Sequence, residues 1–179
     1  MVAKQEIRAQ ILSIGNTCKI TSSMEKVAAS KARKAQTLML TSRPYTESII
    51  QVIDHLTYSS CEYKHRYLIE RETKRVGYIV ITSDRGLCGG LNTNLFKTLI
   101  EHMKNTIGVK IDVDICAIGY KAISFFRNYG GNVVATLTDL NDRPKVNDLI
   151  GSIKVMLDLF DKNSIDCLYL SSNKFINTM

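Results

Sequence analysis

Apolar or small side chains recur along the first part of the chain at alternating steps of four and three residues. They are Ile7, Ile11, Ile14, Cys18, Thr21, Ala28, Ala32, Ala35 and Met39, with Glu25 the one break in the series. This period near 3.5 predicts a coiled-coil seam on one long N-terminal helix over residues 1–59, roughly 85 Å long if unbroken. Because an alanine-lined seam buries little area per residue, an isolated helix of this kind would be only weakly stable. The helix therefore needs a partner helix. An amphipathic helix lying on its own domain is the alternative.

Pro44 predicts an interruption of this helix. Proline lacks the backbone N–H that an interior helical position donates. The apolar pattern shifts near Pro44 and resumes with Ile49, Ile50, Ile53 and Leu56. We therefore expect the helix to kink at Pro44, or to restart there with Ser42 as its N-cap.

The period of the pattern changes in the second part of the chain. Residues 60–75 are polar and predict a linker, and runs of β-branched residues alternate after them with amphipathic segments. This alternation predicts an α/β fold, a mainly parallel, Rossmann-like βαβ domain over 76–179. The predicted strands are 76–83, 113–118, 132–138 and 165–170, and the predicted helices are 91–106, 122–130 and 149–160, with Gly130 and Gly131 as a C-cap.

Composition and charge narrow the function classes. The 179 residues are 45% apolar and 23% charged, which is typical of one globular domain with an appendage and excludes low-complexity or wholly disordered chains. The net charge is +7, and residues 1–45 contribute +6 of it, from eight cations and two anions. A basic helix favours an acidic partner, which is nucleic acid, anionic lipid or an acidic protein surface.

The turn after the first predicted strand is the main candidate for chemistry. Its glycines, Gly86, Gly89 and Gly90, are spaced G-x-x-G-G, which matches neither the dinucleotide fingerprint nor the P-loop. A tight turn is therefore favoured, and a nucleotide-binding α/β enzyme remains an alternative. Asp84 and Arg85 lie where α/β folds place their sites, which permits a contact role.

The remaining motifs give weaker signals. Cys88 is expected to be a free thiol near Arg85, because no histidine lies beside it. The five cysteines and three histidines show no metal-ligand spacing, so we expect no metal and a reducing compartment. DNA binding by the basic helix is a second alternative, although residues 1–44 contain no aromatic side chain for stacking.

Four stretches of the chain resemble the gamma subunit of F-type ATP synthases, in a bacterial form. They are Lys19–Gln36, Ser42–Tyr45, Ser83–Asn92 and Ser172–Met179, they occur in the family's order, and the similarity covers all 179 residues. The resemblance implies a central rotor shaft that is not itself catalytic and binds no cofactor. It also implies an antiparallel pairing of the N-terminal helix with a C-terminal helix inside the ring of alpha and beta subunits.

The resemblance further implies partners and a location. The α/β domain would face the epsilon subunit and the c-ring, without nucleic acid, at the cytoplasmic face of the bacterial inner membrane, held there only through the complex. The implied partner contacts are Lys19, Met24, Lys26, Lys31, Arg33, Lys34, Asp84, Arg85 and Cys88. Family members usually continue further, so we expect an incomplete α/β domain, no second shaft helix and an exposed seam from Ala28 to Ala35.

Overall fold

The structure is a computed structural model that describes residues 2–58, 65–69, 71–107, 112–141 and 144–177. The chain divides into a helical unit, Met1–Lys64, and an α/β unit, His65–Met179. Of the predicted linker, residues 60–64 and 70 lie outside the described residues.

Helix α1 spans Val2–Tyr58 without a break, and Pro44 lies inside it. The predicted restart at Pro44 is therefore wrong. Ser42 is not an N-cap, because its hydroxyl donates to the carbonyl of Leu38, one turn back, at 3.0 Å. A proline inside a helix costs about 3 kcal/mol, from its missing N–H and from the clash of its ring with the preceding turn. Good helix formers, among them Leu38, Met39 and Leu40, precede Pro44, and the helix continues through it.

Hydroxyl side chains along α1 bond to the helix's own backbone. Thr17 donates to the carbonyl of Ser13 at 2.9 Å, and Ser48 donates to the carbonyl of Pro44 at 2.9 Å. The same four-residue contact is made by Thr21, Ser23, Thr37, Thr41, Thr46 and Thr57. These hydroxyls are thereby satisfied locally, so the helix does not need a polar partner for each of them.

The described part of the α/β unit contains four strands and three long helices. In chain order they are β1 Arg75–Ile81, α2 Leu91–Ile107, β2 Asp112–Ile118, α3 Tyr120–Tyr129, β3 Asn132–Leu137, α4 Val146–Asp161 and β4 Cys167–Ser171. All the strand pairs are parallel, and the order in the sheet is β3-β2-β1-β4. The predicted α/β class and parallel sheet are confirmed, and the chain order reverses across β1, so that β4 lies on the opposite side from β2.

The sheet is covered on both faces because its central strands are apolar on both sides. Tyr78, Val80 and Ile115 point toward α2 and α3, where Leu95, Phe96 and Phe126 complete one core. Ile79, Cys116 and Ile118 point to the other face, where Met156 of α4 and Ile165 pack. Burial raises the pKa of the Cys116 thiol and raises that of Tyr78 to about 12.

Two glycines allow neighbouring elements of the fold to pack closely. Gly77 of β1 lies directly under α4, where an added Cβ would come within 2.8 Å of the Met156 side chain. Gly119, with φ +100°, opens α3, and an added Cβ would meet the Thr82 carbonyl. Gly130, with φ +92°, ends α3 as predicted, its N–H donating to the Phe126 carbonyl at 3.1 Å.

A buried carboxylate joins three strands at the amino edge of the sheet. Asp114 of β2 is 2% exposed, and its Oδ1 accepts from Arg75 Nη2 at 3.0 Å and from Asn132 Nδ2 at 2.6 Å. Arg75 Nε lies 2.9 Å from Asp114 Oδ2. The hydrogen bond and charge of Asp114 raise the pKa of Arg75, so the cation is held on the carboxylate.

The described residues from 65 to 74, here called the strap, pack against α4 and β4. Arg71 donates to the Phe160 carbonyl at 3.2 Å and lies over the Phe160 ring at 4.4 Å, and the Tyr67 ring meets the same ring edge-on. Asp166 Oδ2 accepts from the amides of Lys74 and Arg75 at 2.8 and 2.9 Å. These contacts join residues about ninety positions apart in sequence, so the end of the polar segment is anchored to the α/β unit.

Candidate functional site

The six partner-contact residues predicted on α1 are all exposed and are together called the basic stripe here. Lys19, Lys26 and Arg33 recur every seven residues, which places them along one line of the helix, and Lys34 follows directly after Arg33. Lys31 and the half-exposed Met24 are also seven residues apart and lie on the other side of the helix. Unit charges about 10 Å apart attract an acidic surface along the full length of the stripe, with a strength that falls as salt is added.

The predicted seam also faces outward on the helical unit. Ile7, Ile11 and Ile14 are each more than half exposed, and the alanines from Ala28 to Ala35 are exposed as well. Because α1 is continuous, Ile49 and Leu56 fall on the same steps of seven that begin at Ile7. The seam therefore runs in one frame across Pro44, where the sequence pattern had indicated a shift.

Asp84, Arg85 and Cys88 lie together on the turn between β1 and α2, at the carboxyl edge of the sheet. Asp84 faces inward. Its Oδ1 accepts from the amide of Tyr120 at 2.8 Å and its Oδ2 accepts from the amide of Leu140 at 3.2 Å. Asp84 thus links the start of α3 to the segment after β3, while Arg85 remains exposed.

Asn92 fixes the shape of this turn, and the sequence analysis did not single it out. It is buried, its side chain accepts from the Ser83 amide at 3.2 Å and donates to the Ser83 hydroxyl at 2.8 Å, and its Nδ2 lies 3.2 Å from Cys88 Sγ. The sequence signal for this role was a polar residue, Asn92, on the same helical face as the apolar Leu95 and Leu99. Cys88 is a free thiol, as expected, and is half-buried inside this network.

Leu87 is the second residue that the sequence analysis missed. It is 92% exposed at the tip of the turn and has a φ of +60°, a conformation that costs a non-glycine residue free energy. Gly89, with φ +58°, completes the tight turn that the glycine spacing favoured. A strained, exposed leucine beside Arg85 presents both an apolar and a cationic group to a partner.

Two kinds of feature are absent from the residues that the structure describes. Within them, no group of three or more His, Cys, Asp or Glu side chains is arranged to bind a metal ion. The helices in that part of the chain include none that is long and apolar enough to cross a bilayer.

Comparison with known families decides the identity. A family model described as ATP synthase matches residues 3–179, which is nearly the whole chain. The chain belongs to the ATP synthase gamma subunit family. The predicted family is thereby confirmed, and the long N-terminal helix followed by a parallel α/β domain agrees with it.

Membership in the gamma family supports a central-stalk role in ATP synthase. The family is a regulatory or rotor subunit rather than the catalytic one, and it works within a membrane-associated complex. Its partners are other subunits of that complex. The basic stripe, the seam and the exposed part of the β1–α2 turn are the candidate surfaces for those contacts.

Proposed function

We propose that this chain is the central rotor shaft of a bacterial, proton-translocating F-type ATP synthase. In this role it couples rotation of the membrane c-ring to conformational change at the catalytic beta subunits, and so regulates ATP hydrolysis and proton flow. The observation that carries the proposal is a continuous helix of 57 residues, roughly 85 Å long, in a chain that matches the gamma family. A rotating shaft needs that length to reach through a ring of subunits.

The basic stripe supports contact with an acidic sleeve made by the alpha and beta subunits. Around its last charges, from Ala28 to Ala35, the helix carries only small and cationic side chains, so this part of the stripe presents no large apolar patch. We assign Lys19, Met24, Lys26, Lys31, Arg33 and Lys34 to these contacts. The charges act mainly by steering and orientation, because exposed ion pairs contribute only about 0–1 kcal/mol each.

The seam supports a helical partner along the same axis. Bulky isoleucines lie at both ends of the seam and alanines lie at its centre, so the partner must supply large side chains where this helix has small ones. A second shaft helix, antiparallel to α1, is the proposed partner.

The turn after β1 supports a contact role. Asp84 and Asn92 hold the turn from inside through backbone and side-chain hydrogen bonds, so their polar groups are already used. Arg85 and the strained Leu87 are what the turn presents outward, with Cys88 beneath them. We assign these residues to a partner subunit, and the remaining faces of the α/β unit to epsilon and the c-ring at the cytoplasmic face of the inner membrane.

Co-purification tests the proposal. The tagged full chain is co-expressed with alpha, beta and epsilon subunits of a bacterial F-type enzyme, and the eluted complex is assayed for ATP hydrolysis. We expect a salt-sensitive complex that contains all of these subunits. A chain that elutes alone while binding ATP tightly, or that binds duplex DNA with a steep salt dependence, would instead support one of the two alternative functions.

Reversing two charges of the basic stripe tests whether the stripe contacts the beta subunits. The variant Lys26→Glu/Arg33→Glu is expected to reduce recovery of beta at least tenfold, because two attractions become repulsions. Lys154→Glu, an exposed lysine of α4, is the matched control and is expected to leave recovery unchanged. Equal recovery of beta with the stripe variant and the control would contradict the assignment of the stripe.

A further inference from the structure

The outer surface of the α/β unit carries a groove between α2 and α3 to which the proposed rotor role assigns no specific contact. It is lined from α2 by Phe96, Lys97, Ile100, Glu101 and Lys104, and from α3 by Lys121, Phe125 and Tyr129. With Thr93 included, the α2 lining residues recur every three or four positions from Thr93 to Lys104, about three turns, so the groove is roughly 15 Å long. We call it the α2–α3 groove.

The floor of the groove is a row of three aromatic rings. Phe125 stacks on Phe96 at 4.2 Å between ring centroids, with planes 8° apart, and Tyr129 stacks on Phe125 at 5.4 Å. Phe96 is buried, Phe125 is half-buried, and Tyr129 is about half exposed. The row therefore rises from the core to the surface and leaves an apolar strip in the open groove.

The rims of the groove are cationic. Lys97 and Lys104 lie on α2 and Lys121 lies on α3, against the single carboxylate of Glu101. Within the part of the chain that the structure describes, none of these three ammonium groups makes an ion pair with a carboxylate. Two lysines on the α2 rim and one lysine on the α3 rim thus flank the apolar strip.

We propose that the α2–α3 groove docks a short amphipathic helix of a partner protein, with an apolar ridge on the aromatic strip and acidic residues on both flanks. A length of roughly 15 Å accommodates two to three helical turns, or about ten residues. Leucine-like residues at steps of three and four would contact Ile100, Phe125 and Tyr129. Glutamate or aspartate on either side of that ridge would meet Lys97 and Lys104 on one rim and Lys121 on the other.

The ring geometry favours a peptide over a single-stranded nucleic acid. Nucleic-acid bases bind proteins by stacking on open aromatic faces. Phe125 has stacked rings against it from both Phe96 and Tyr129, so its faces are occupied, and Tyr129 alone offers an outer face. An apolar strip made of ring edges fits branched aliphatic side chains better than a series of bases.

Fluorescence anisotropy with a defined probe tests this proposal on the full chain. The probe is a fluorescein-labelled peptide of about twelve residues, with a leucine stripe at helical spacing and glutamates beside it. We expect binding in the micromolar range at low salt. Lys97→Glu/Lys104→Glu is expected to weaken binding at least tenfold, and Tyr129→Ala about fivefold. Amide shifts in an NMR titration should concentrate on α2 and α3.

Three comparisons complete the test. Lys154→Glu on α4, on the opposite face of the sheet, should leave the affinity within twofold, and near-ultraviolet circular dichroism confirms that each variant is folded. A peptide of the same composition with its leucines scattered should bind at least tenfold more weakly. Equal binding of the scattered peptide, equal loss with Lys154→Glu, or tighter binding of a single-stranded oligothymidine would each overturn the proposal. The result is independent of whether the chain assembles with alpha and beta subunits.

Discussion

Replacing Arg75 with methionine is expected to destabilise the α/β unit by leaving a buried carboxylate without its cation. Asp114 is 2% exposed and receives two contacts from the Arg75 guanidinium, at 3.0 and 2.9 Å. Methionine has a similar length and retains the packing of the aliphatic stem, so the change removes the charge and little else.

The magnitude follows from how completely the pair is buried. Removing one partner of a buried ion pair costs about 3–5 kcal/mol, because the other charge stays desolvated. Arg75 is 40% exposed, so the pair is not fully desolvated, and Asn132 continues to donate to Asp114 at 2.6 Å. We therefore expect a loss of about 3 kcal/mol, a large share of the stability of a domain of this size.

Urea unfolding of the full chain, followed by the near-ultraviolet circular dichroism of the core tyrosines, measures this loss. Lys74→Met is the matched control, since Lys74 pairs with Glu72 at the surface, where such pairs contribute about 0–1 kcal/mol. The double variant Arg75→Met/Asp114→Leu should recover most of the loss, because it removes the orphaned charge. If Arg75→Met lost no more stability than Lys74→Met, the proposed role of the pair would be refuted.

Three further predictions concern the α/β unit. The amides at the start of β1 hold the pKa of Asp166 below its usual range, so the stability that this carboxylate contributes is present above the unfolded pKa, near 4, and is lost as pH falls toward the folded value. In Asp166→Asn, the free energy of unfolding measured in urea should therefore depend less on pH in the acid range. An unchanged pH dependence would contradict this role of Asp166. Burial, and after it the neighbouring Tyr169 and Cys167, raises the pKa of Tyr78 to about 12, so the stability of the unit should fall as pH rises from about 10 to about 12. The fall should be smaller in Tyr78→Phe. An equal fall in stability in the two proteins would count against burial of the hydroxyl. Gly119→Ala should destabilise the unit by about 3 kcal/mol and so lower its melting temperature strongly. Gly151→Ala, at a position of α4 with open space around it, should raise the melting temperature slightly. Equal effects of the two substitutions in thermal unfolding would disprove the steric argument.

The sequence predicted most of the secondary structure, because local signals specify it. The run from Val76 to Ile81 and the alternation of strands with amphipathic helices were sufficient for the α/β class and its parallel sheet. The order of strands was not predictable, since it depends on which edge of β1 receives β4. The predicted restart at Pro44 was wrong because helix-breaking is a local tendency that a long helix can override.

The candidate site was predicted only in part. The basic stripe and the position of the turn follow from residue spacing alone, and their assignment to particular partners stays a prediction. The inward orientation of Asp84 and the role of Asn92 were missed, because their hydrogen-bond partners come from other elements of the fold. The strap contacts were missed for the same reason, as residues 71–75 meet residues 160–166 only in the folded chain.

The strap also determines how a pulling force on the chain would reach the sheet. Any pull transmitted along the chain toward β1 meets the Arg71–Phe160 contact and the Asp166 carboxylate before it reaches the hydrogen bonds that pair β1 with β2. Such a pull is therefore shared with the carboxyl end of α4 and with the start of β4, which adjoin the amino edge of the sheet. The strap contacts bear the load before the parallel strand pairs do.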